Sequence, residues 1–455
     1  MIEPPLWLVV LPLAATPVVY LTRRWQLGAY LAAAVSLFTG LLAATLPPTN
    51  IMRLAGRTFL LDPLTQQGLA VFFVTCAVLY MIGWRLQQGG YLLPLGLLVS
   101  SLFAIAGMSR HLAITGLVMT LAAIASVPII QGEQTGSVRA AWRFLLFMLL
   151  ALPFFLLAAW RVDMYREDVQ NAVYLPQAAV LAGLGLCFWL AAIPMYSWLT
   201  SVATEAPPVA GVLVLIGFPM MALITLAHLM AEATWFTWWA QAGRLLLLAG
   251  LVSTALGGVL AAVQRSLRSA MGYTALFDMG CLLVAFAVQG SDGAVALYAG
   301  LVTRTIGLTL IGVSTAAIRA ETGEDSFSDL SGTASRLPLA TGALLLGGIT
   351  MAGLPGAAGF PVRWQTLHDL AQIDDRWIWV VVLAGLGVAI AYLRAVYAMM
   401  KPAAQPYEAP RSRPGWAPAA LMISLVLFTI ALGLFPGPLF RLAARLVTLY
   451  PLPHQ

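Results

Sequence analysis

Nine ionisable residues stand inside long apolar stretches or at their ends: Glu205, His228, Glu232, Asp278, Arg304, Arg363, His368, Asp369 and Arg394. Charge at membrane depth is costly, so such residues are expected to meet a partner or a water-filled cavity, and they are the candidates for an ion or proton path. Their types divide the chemistry. Aspartate, glutamate and histidine can pass a proton. A guanidinium stays protonated at any accessible pH, so Arg363 can hold charge, grip a carboxylate or repel cations but cannot carry a proton. Asp278 is expected to pair with an arginine such as Arg268 or Arg304. Glu205 precedes Ala206-Pro207-Pro208 and is expected to open a helix there, capping its exposed N–H groups. His228, Glu232, His368 and Asp369 fall near span ends and read as interfacial, and Arg394 is close enough to an end to snorkel.

Other chemistries are excluded by what surrounds these residues. Lys401 is the single lysine and follows Met400, so there is no Gly-Lys-Ser/Thr phosphate loop and no interior Schiff-base lysine. Cys76, Cys187 and Cys281 lie singly in separate apolar segments, without the spacing of a zinc, iron–sulfur or covalent haem site. The histidines His111, His228, His368 and His454 show no haem-clamping pairs. No cofactor, metal or nucleic-acid partner is expected, and no catalytic centre is visible in the chain on its own.

The elements that must position these residues are membrane spans. Of the 455 residues 61% are hydrophobic and 9% charged, with a mean hydropathy of +0.89, against about a quarter charged in soluble domains. Hydropathy predicts an all-α integral membrane fold of about fourteen spans between residues 5 and 436. The seventh, 174–198, carries Pro194, and the twelfth, 337–371, contains Gly353-Leu354-Pro355-Gly356 and is too long for one straight helix. Discontinuous helices are therefore predicted near 194–208 and 353–361, in two inverted five-helix repeats. The division is 1–90 for N-terminal helices, 91–240 and 241–400 for the repeats, and 401–455 for a last helix and tail. Arg441 and Arg445 beside Leu442, Leu446 and Leu449 predict a short amphipathic helix on the membrane surface. Gly257-Gly258 and Gly347-Gly348 mark close helix packing, and Glu321 to Asp329 reads as a solvated loop. Loops after odd-numbered spans hold somewhat more basic residues, which places both termini outside an inner (cytoplasmic) membrane.

Four ordered motifs carry a family resemblance. Asp62-Pro63-Leu64 looks like the start of a third helix. Ile193-Pro194-Met195-Tyr196-Ser197-Trp198-Leu199 with Glu205-Ala206-Pro207 resembles a P-x-H-x-W-L-P-D-A…E-A-P signature. Gln264 to Gly280 is similar to Q-x-D-L-K-R-x-x-A-Y-S-x-x-H-x-G, and Arg336-Leu337-Pro338 through Phe360 to R-x-P…G-L-P-x-x-x-G-F. From about Asp62 to Phe440 the chain thus resembles the antiporter-like membrane subunits shared by respiratory complex I, Mrp sodium/proton antiporters and membrane-bound hydrogenases. Members that pump protons carry a glutamate in the fifth helix, lysines in the seventh and eighth, and a lysine or glutamate in the twelfth. The matching positions here are Ala123, Trp189, Met220 or a near neighbour, and Arg363, while the motif histidines become Asp278 and Tyr196.

The resemblance implies a membrane subunit that works with other membrane subunits of a multisubunit redox or ion-translocating complex, such as a quinone oxidoreductase or hydrogenase. The missing lysines imply a degraded proton path and a scaffolding role. Two alternatives stand beside it: an active proton or sodium/proton translocator using carboxylates and water, and a coupling subunit of an inorganic-carbon accumulating complex.

Overall fold

The computed structural model describes residues 4–47, 50–54, 57–132, 138–171, 173–232, 239–288, 291–402 and 416–449. Helices α1 (Trp7–Thr22), α2 (Gln26–Thr45) and α3 (Pro63–Arg85) form the N-terminal group. A first set of five spans follows: α4 (Leu92–Met108), α5 (Leu112–Gln131), α6 (Arg139–Glu167), the pair α7 (Tyr174–Trp189) and α8 (Ser197–Glu205), and α9 (Pro208–Glu232). The second set is α10 (Trp239–Val263), α11 (Leu267–Ala287), α12 (Ser291–Thr322), a turn of helix α13 (Thr333–Arg336), the pair α14 (Pro338–Ala352) and α15 (Gly359–Ala371), and α16 (Arg376–Met400). Helices α17 (Trp416–Leu434) and α18 (Gly437–Leu449) close the described chain.

The fourth span of each set is the broken one, and five crossings separate equivalent spans, so the two sets run in opposite directions, as predicted. Among the described residues ten helices are long and apolar enough to cross a membrane, α17 with α18 adds a bent pair, and α4, α7 and α14 are shorter apolar helices. Each of the last two is short because its span is interrupted: the chain leaves α7 at Leu190 and resumes at Ser197, and leaves α14 at Gly353 and resumes at Gly359.

Helices α9, α11 and α12 are central: their apolar windows are 100%, 94% and 89% buried, against 28% for α6, and α11 and α12 carry the polar residues that the lipid-facing α6 lacks at that depth. The outer helices turn Leu21, Phe38, Trp142 and Leu245 outward to lipid. Where helices touch most closely the residues are glycine. A Cβ on Gly257 would stand 2.3 Å from Phe277 N, and one on Gly258 2.3 Å from Ala384 O, which is what lets α10 lie against both α11 and α16.

Three elements depart from the sequence reading. Strands β1 (Asn50–Leu54) and β2 (Arg57–Leu61) form an antiparallel hairpin in the connection before α3, and Phe59 bridges to Ser109. Five-residue strands of mixed polarity give no period long enough to read. Helix α18 turns 75° from α17, as an amphipathic tail helix should, but Leu439, Ala443 and Leu446 pack on Leu64, Gly68 and Leu301 of α3 and α12, so its apolar face covers protein. The acidic stretch is not a solvated loop throughout: Asp325 is buried and takes the Nε of Arg268 at 2.8 Å, pinning the loop to the start of α11.

Candidate functional site

The central site forms where α11, α12 and the broken span meet. Asp278, midway along α11, is 5% exposed, and its two oxygens go to different arginines. Oδ2 accepts from Arg304 Nη1 at 2.8 Å and Oδ1 from Arg363 Nη2 at 3.0 Å. Arg304, from α12, is 2% exposed; it also donates to Ala275 O at 3.1 Å and, through Nη2, to Leu215 O at 3.2 Å. The Leu215 carbonyl is available because Pro219, four residues on within α9, has no N–H to bond it. Arg363, from α15, donates to Met351 O at 3.2 Å and lies with its guanidinium carbon 5.1 Å from the centre of the Phe277 ring. Met351 belongs to the last turn of α14, where carbonyls have no helical donor and the helix dipole is negative.

The break itself makes room for Arg363. Gly353 has φ +74°, and a Cβ there would sit 2.7 Å from the Cβ of Arg363. A glycine at this turn therefore ends α14 in the left-handed region and clears the arginine stem in one step. Beside the cluster lies a void of about 10 Å³ lined by Cys281, Thr303, Thr350 and Thr366, space for about one water. Two permanent positive charges share one carboxylate, so the interior keeps a net positive charge, spread over backbone carbonyls.

A second ionic cluster sits at the end of the first set. Asp62 caps α3, accepting from Leu64 N at 2.9 Å and Thr65 N at 3.1 Å. Its Oδ2 lies 2.5 Å from Thr65 Oγ1, 2.9 Å from Arg110 Nη2 and 3.0 Å from His228 Nε2. A carboxylate only accepts, so that geometry assigns the proton to Nε2 of His228. Burial pushes the Asp62 carboxyl up, but the bond and charge of His228, then the Arg110 charge and the Thr65 hydroxyl, outweigh it and hold the group well below the usual carboxylate range. Sequence reading named Asp62 only as a motif residue and did not bring Arg110 to it. The Asp-Pro helix start was the available signal, since an N-cap aspartate has a free oxygen for one more partner.

The remaining candidates scatter. Of the two arginines expected near Asp278, Arg304 is its partner, Arg363 is added, and Arg268 is taken by Asp325. Glu205 does not open a helix: it ends α8, half-buried, and its Oε2 accepts from Ala140 N at the start of α6 at 3.1 Å. Pro207 and Pro208 carry no N–H to cap, and Val209 N, the first available, goes to Gln88 Oε1. His228 is near the end of α9 as expected, yet it is 6% exposed and ion-paired, which is not an interfacial environment. Arg394 is exposed, donates to Ala262 O and lies over the Phe327 ring at 5.9 Å, away from both clusters. His368 is exposed, whereas Asp369 is buried and accepts from Gln365 at 2.9 Å. The Glu232 side chain lies outside the described residues.

The positions where relay residues were expected are filled by packing. Ala123 is fully buried in α5. Trp189, at the end of α7, stacks on Phe155 with ring centres 4.1 Å apart. Met220 lines the apolar groove shared by α3, α12 and α18. Among the described residues no group of three or more His, Cys, Asp or Glu side chains could hold a metal.

The chain is 25% identical over 268 residues to the NADH-quinone oxidoreductase subunit N of Desulforamulus reducens and 29% identical over 282 residues to that of Methylococcus capsulatus, each match covering 58% of this chain and 54% of the relative. The chain thus spans about half the length of these curated relatives. Subunit N 2 of Sorangium cellulosum matches at 25% identity over 80% of this chain and 77% of the relative. In fold it is similar to a chain of the archaeal membrane-bound sulfane sulfur reductase, with a TM-score of 0.85, 16% identity and coverage of 98% of this chain and 97% of the other. A chain of the Mrp complex from a Dietzia species gives 0.84 at 17% identity, covering 98% of each. One from respiratory complex I of Thermus thermophilus gives 0.78 at 22%, covering 98% of this chain and 99% of that one. The family described as NADH:quinone oxidoreductase/Mrp antiporter, TM matches residues 109–389, which take in both broken spans and the Asp278, Arg304 and Arg363 cluster, and the chain belongs to that family.

Proposed function

We propose that this protein is an antiporter-like membrane subunit of a multisubunit complex of the complex I or Mrp type, in which the central charge cluster ties helices together and does not pass protons. The observation that carries the reading is the grip of Arg304 and Arg363 on both oxygens of Asp278. A relay station must take up and release a proton near neutral pH. Neither guanidinium can, and both oxygens of the carboxylate between them are already engaged. Alanine, tryptophan and methionine at the other expected stations support the same reading. A buried ion pair of this kind acts as a register pin: it contributes modestly to net stability, while removing one member leaves an uncompensated charge.

In this reading the partners are other membrane subunits, the lipid-facing surfaces of the outer helices provide for them, and the chain lies in the cytoplasmic membrane with both termini outside. The test is affinity purification of the tagged chain from its native membrane in mild detergent. Other membrane subunits should copurify in fixed ratio, and Asp278→Asn should reduce the assembled fraction. A chain that always purifies alone would remove the subunit reading. Undiminished assembly of Asp278→Asn would remove the structural role of the cluster.

A further inference from the structure

The Asp62 cluster opens on a cavity of about 180 Å³, more than ten times the roughly 10–15 Å³ that one water needs. Its polar wall includes Arg110, Arg166, His111 and His228 and one carboxylate, Asp163. Every element around it contributes an end: the start of α5, the residue that follows α4, and the ends of α6 and α9. The cavity therefore lies at the depth of lipid headgroups, not mid-bilayer.

Its chemistry is basic. Arg110 and Arg166 line it together with one carboxylate, Asp163, while Arg57, at the start of β2, adds its charge near His111 and Asp62 stands behind Arg110. Both carboxylates are engaged already. Asp62 accepts from two backbone N–H groups and faces Thr65, Arg110 and His228, and Asp163 pairs with Arg166 at 3.1 Å. The Asp163–Arg166 pair is more than half exposed, and such pairs are weak enough for a better anion to displace. The first turn of α5 adds to the positive field: its N-cap residue is His111, whose side chain caps nothing, so the N–H groups beside Leu112 keep their capacity for an anion. His111 Nδ1 is itself buried with no hydrogen-bond partner. Burial first, then the charge of Arg57 with a smaller contribution from Arg166, holds its imidazole below the usual range against the opposing pull of Asp163.

We propose that this cavity binds a phosphate-type oxyanion, supplied as the headgroup of an anionic lipid or as free phosphate, and held by Arg110, Arg166, His111 and the N-terminus of α5. Guanidinium groups match phosphate oxygens through paired N–H donors, and hydroxyls of Ser109, Thr115 and Thr225 are at hand for the remaining oxygens.

The test uses this chain purified in uncharged detergent and stripped of lipid. Inorganic phosphate is titrated calorimetrically, and short-chain phosphatidylglycerol, with phosphatidylcholine as control, is followed by native mass spectrometry. Arg166→Gln and His111→Gln are the variants, because neither side chain touches Asp62. Binding of phosphate in the absence of lipid identifies a free-anion site, and binding of phosphatidylglycerol alone identifies a headgroup site. In either case the proposal predicts about tenfold weaker binding in Arg166→Gln and a smaller loss in His111→Gln, with unchanged thermal midpoints. No binding of either probe, or equal affinity in both variants and the parent, would overturn it.

Discussion

Asp278 and Asp62 are both buried carboxylates held by arginine, but their settings differ in two respects. Asp278 lies mid-bundle, its partners are two permanent cations, and the adjoining void admits about one water. Asp62 lies at a helix end beneath a cavity of about 180 Å³, and its partners are one guanidinium, one imidazole and one hydroxyl. The first arrangement holds both carboxylate oxygens between permanent cations in a sealed site. The second adjoins open space on one side, where its arginine and histidine partners line the cavity. Within one chain, then, the sealed site is suited to holding helices and the open one to exchanging ligands.

Four perturbations sharpen the contrast, in order of expected effect. Asp278→Asn leaves two buried guanidiniums without a counter-charge and should cost about 3–5 kcal/mol, seen as a large drop in the thermal midpoint of the detergent-solubilised protein. A midpoint within a degree or two of the parent would mean that the cluster is not structural. Gly353→Ala forces a Cβ into the left-handed turn against Arg363, for an expected loss of about 1–3 kcal/mol and a disturbed Arg363 environment. Were it neutral, the turn would not be what seats the arginine.

The third and fourth concern the open cluster. Because the folded-state carboxyl of Asp62 is held low, its contribution is fully present above the ordinary unfolded value of about 3.9 and is lost as pH falls through the lower folded value. Asp62→Asn should therefore lower stability at neutral pH, by about 2 kcal/mol from the lost cap and charged bonds, and should narrow its gap from the parent in strong acid. A gap that widened with acid would reverse the assigned sign. The His111 imidazole is held below its usual range, so protonation disfavours the folded state and stability should fall as pH drops through about 6.5, the unfolded value. His111→Gln should flatten that slope slightly while leaving the midpoint at pH 8 unchanged, which a pH series of melting curves reads directly.

Much of this architecture was legible before any coordinates. Apolar runs marked the spans, and Pro194 and the Gly353-Leu354-Pro355-Gly356 run located both interruptions because these residues cannot continue a helix. Scarcity of charge points Asp278 to Arg268 or Arg304, and packing selects Arg304 because Arg268 is taken by Asp325. What could not be read depends on residues remote in sequence. Arg110 and His228 reach Asp62 from the ends of other helices, and nothing local to any of the three announces the meeting. One acceptor for Arg304 is a carbonyl freed by Pro219 in another helix, visible only once α9 and α12 are side by side. Glu205 ends α8 and does not cap α9 because the two prolines after it have no N–H groups to cap. The hairpin and the docking face of α18 were hidden for a similar reason: short elements acquire their role from the surface they meet.

The central claim, that the Asp278 cluster pins the bundle and does not relay protons, is tested most directly by reconstituting the chain alone in liposomes and following an imposed pH gradient with a trapped dye. The account predicts decay at the rate of protein-free vesicles for the parent protein. A robust proton flux, abolished by Asp278→Asn or Glu205→Gln in protein that remains folded, would contradict it and establish a translocator built on carboxylates and water.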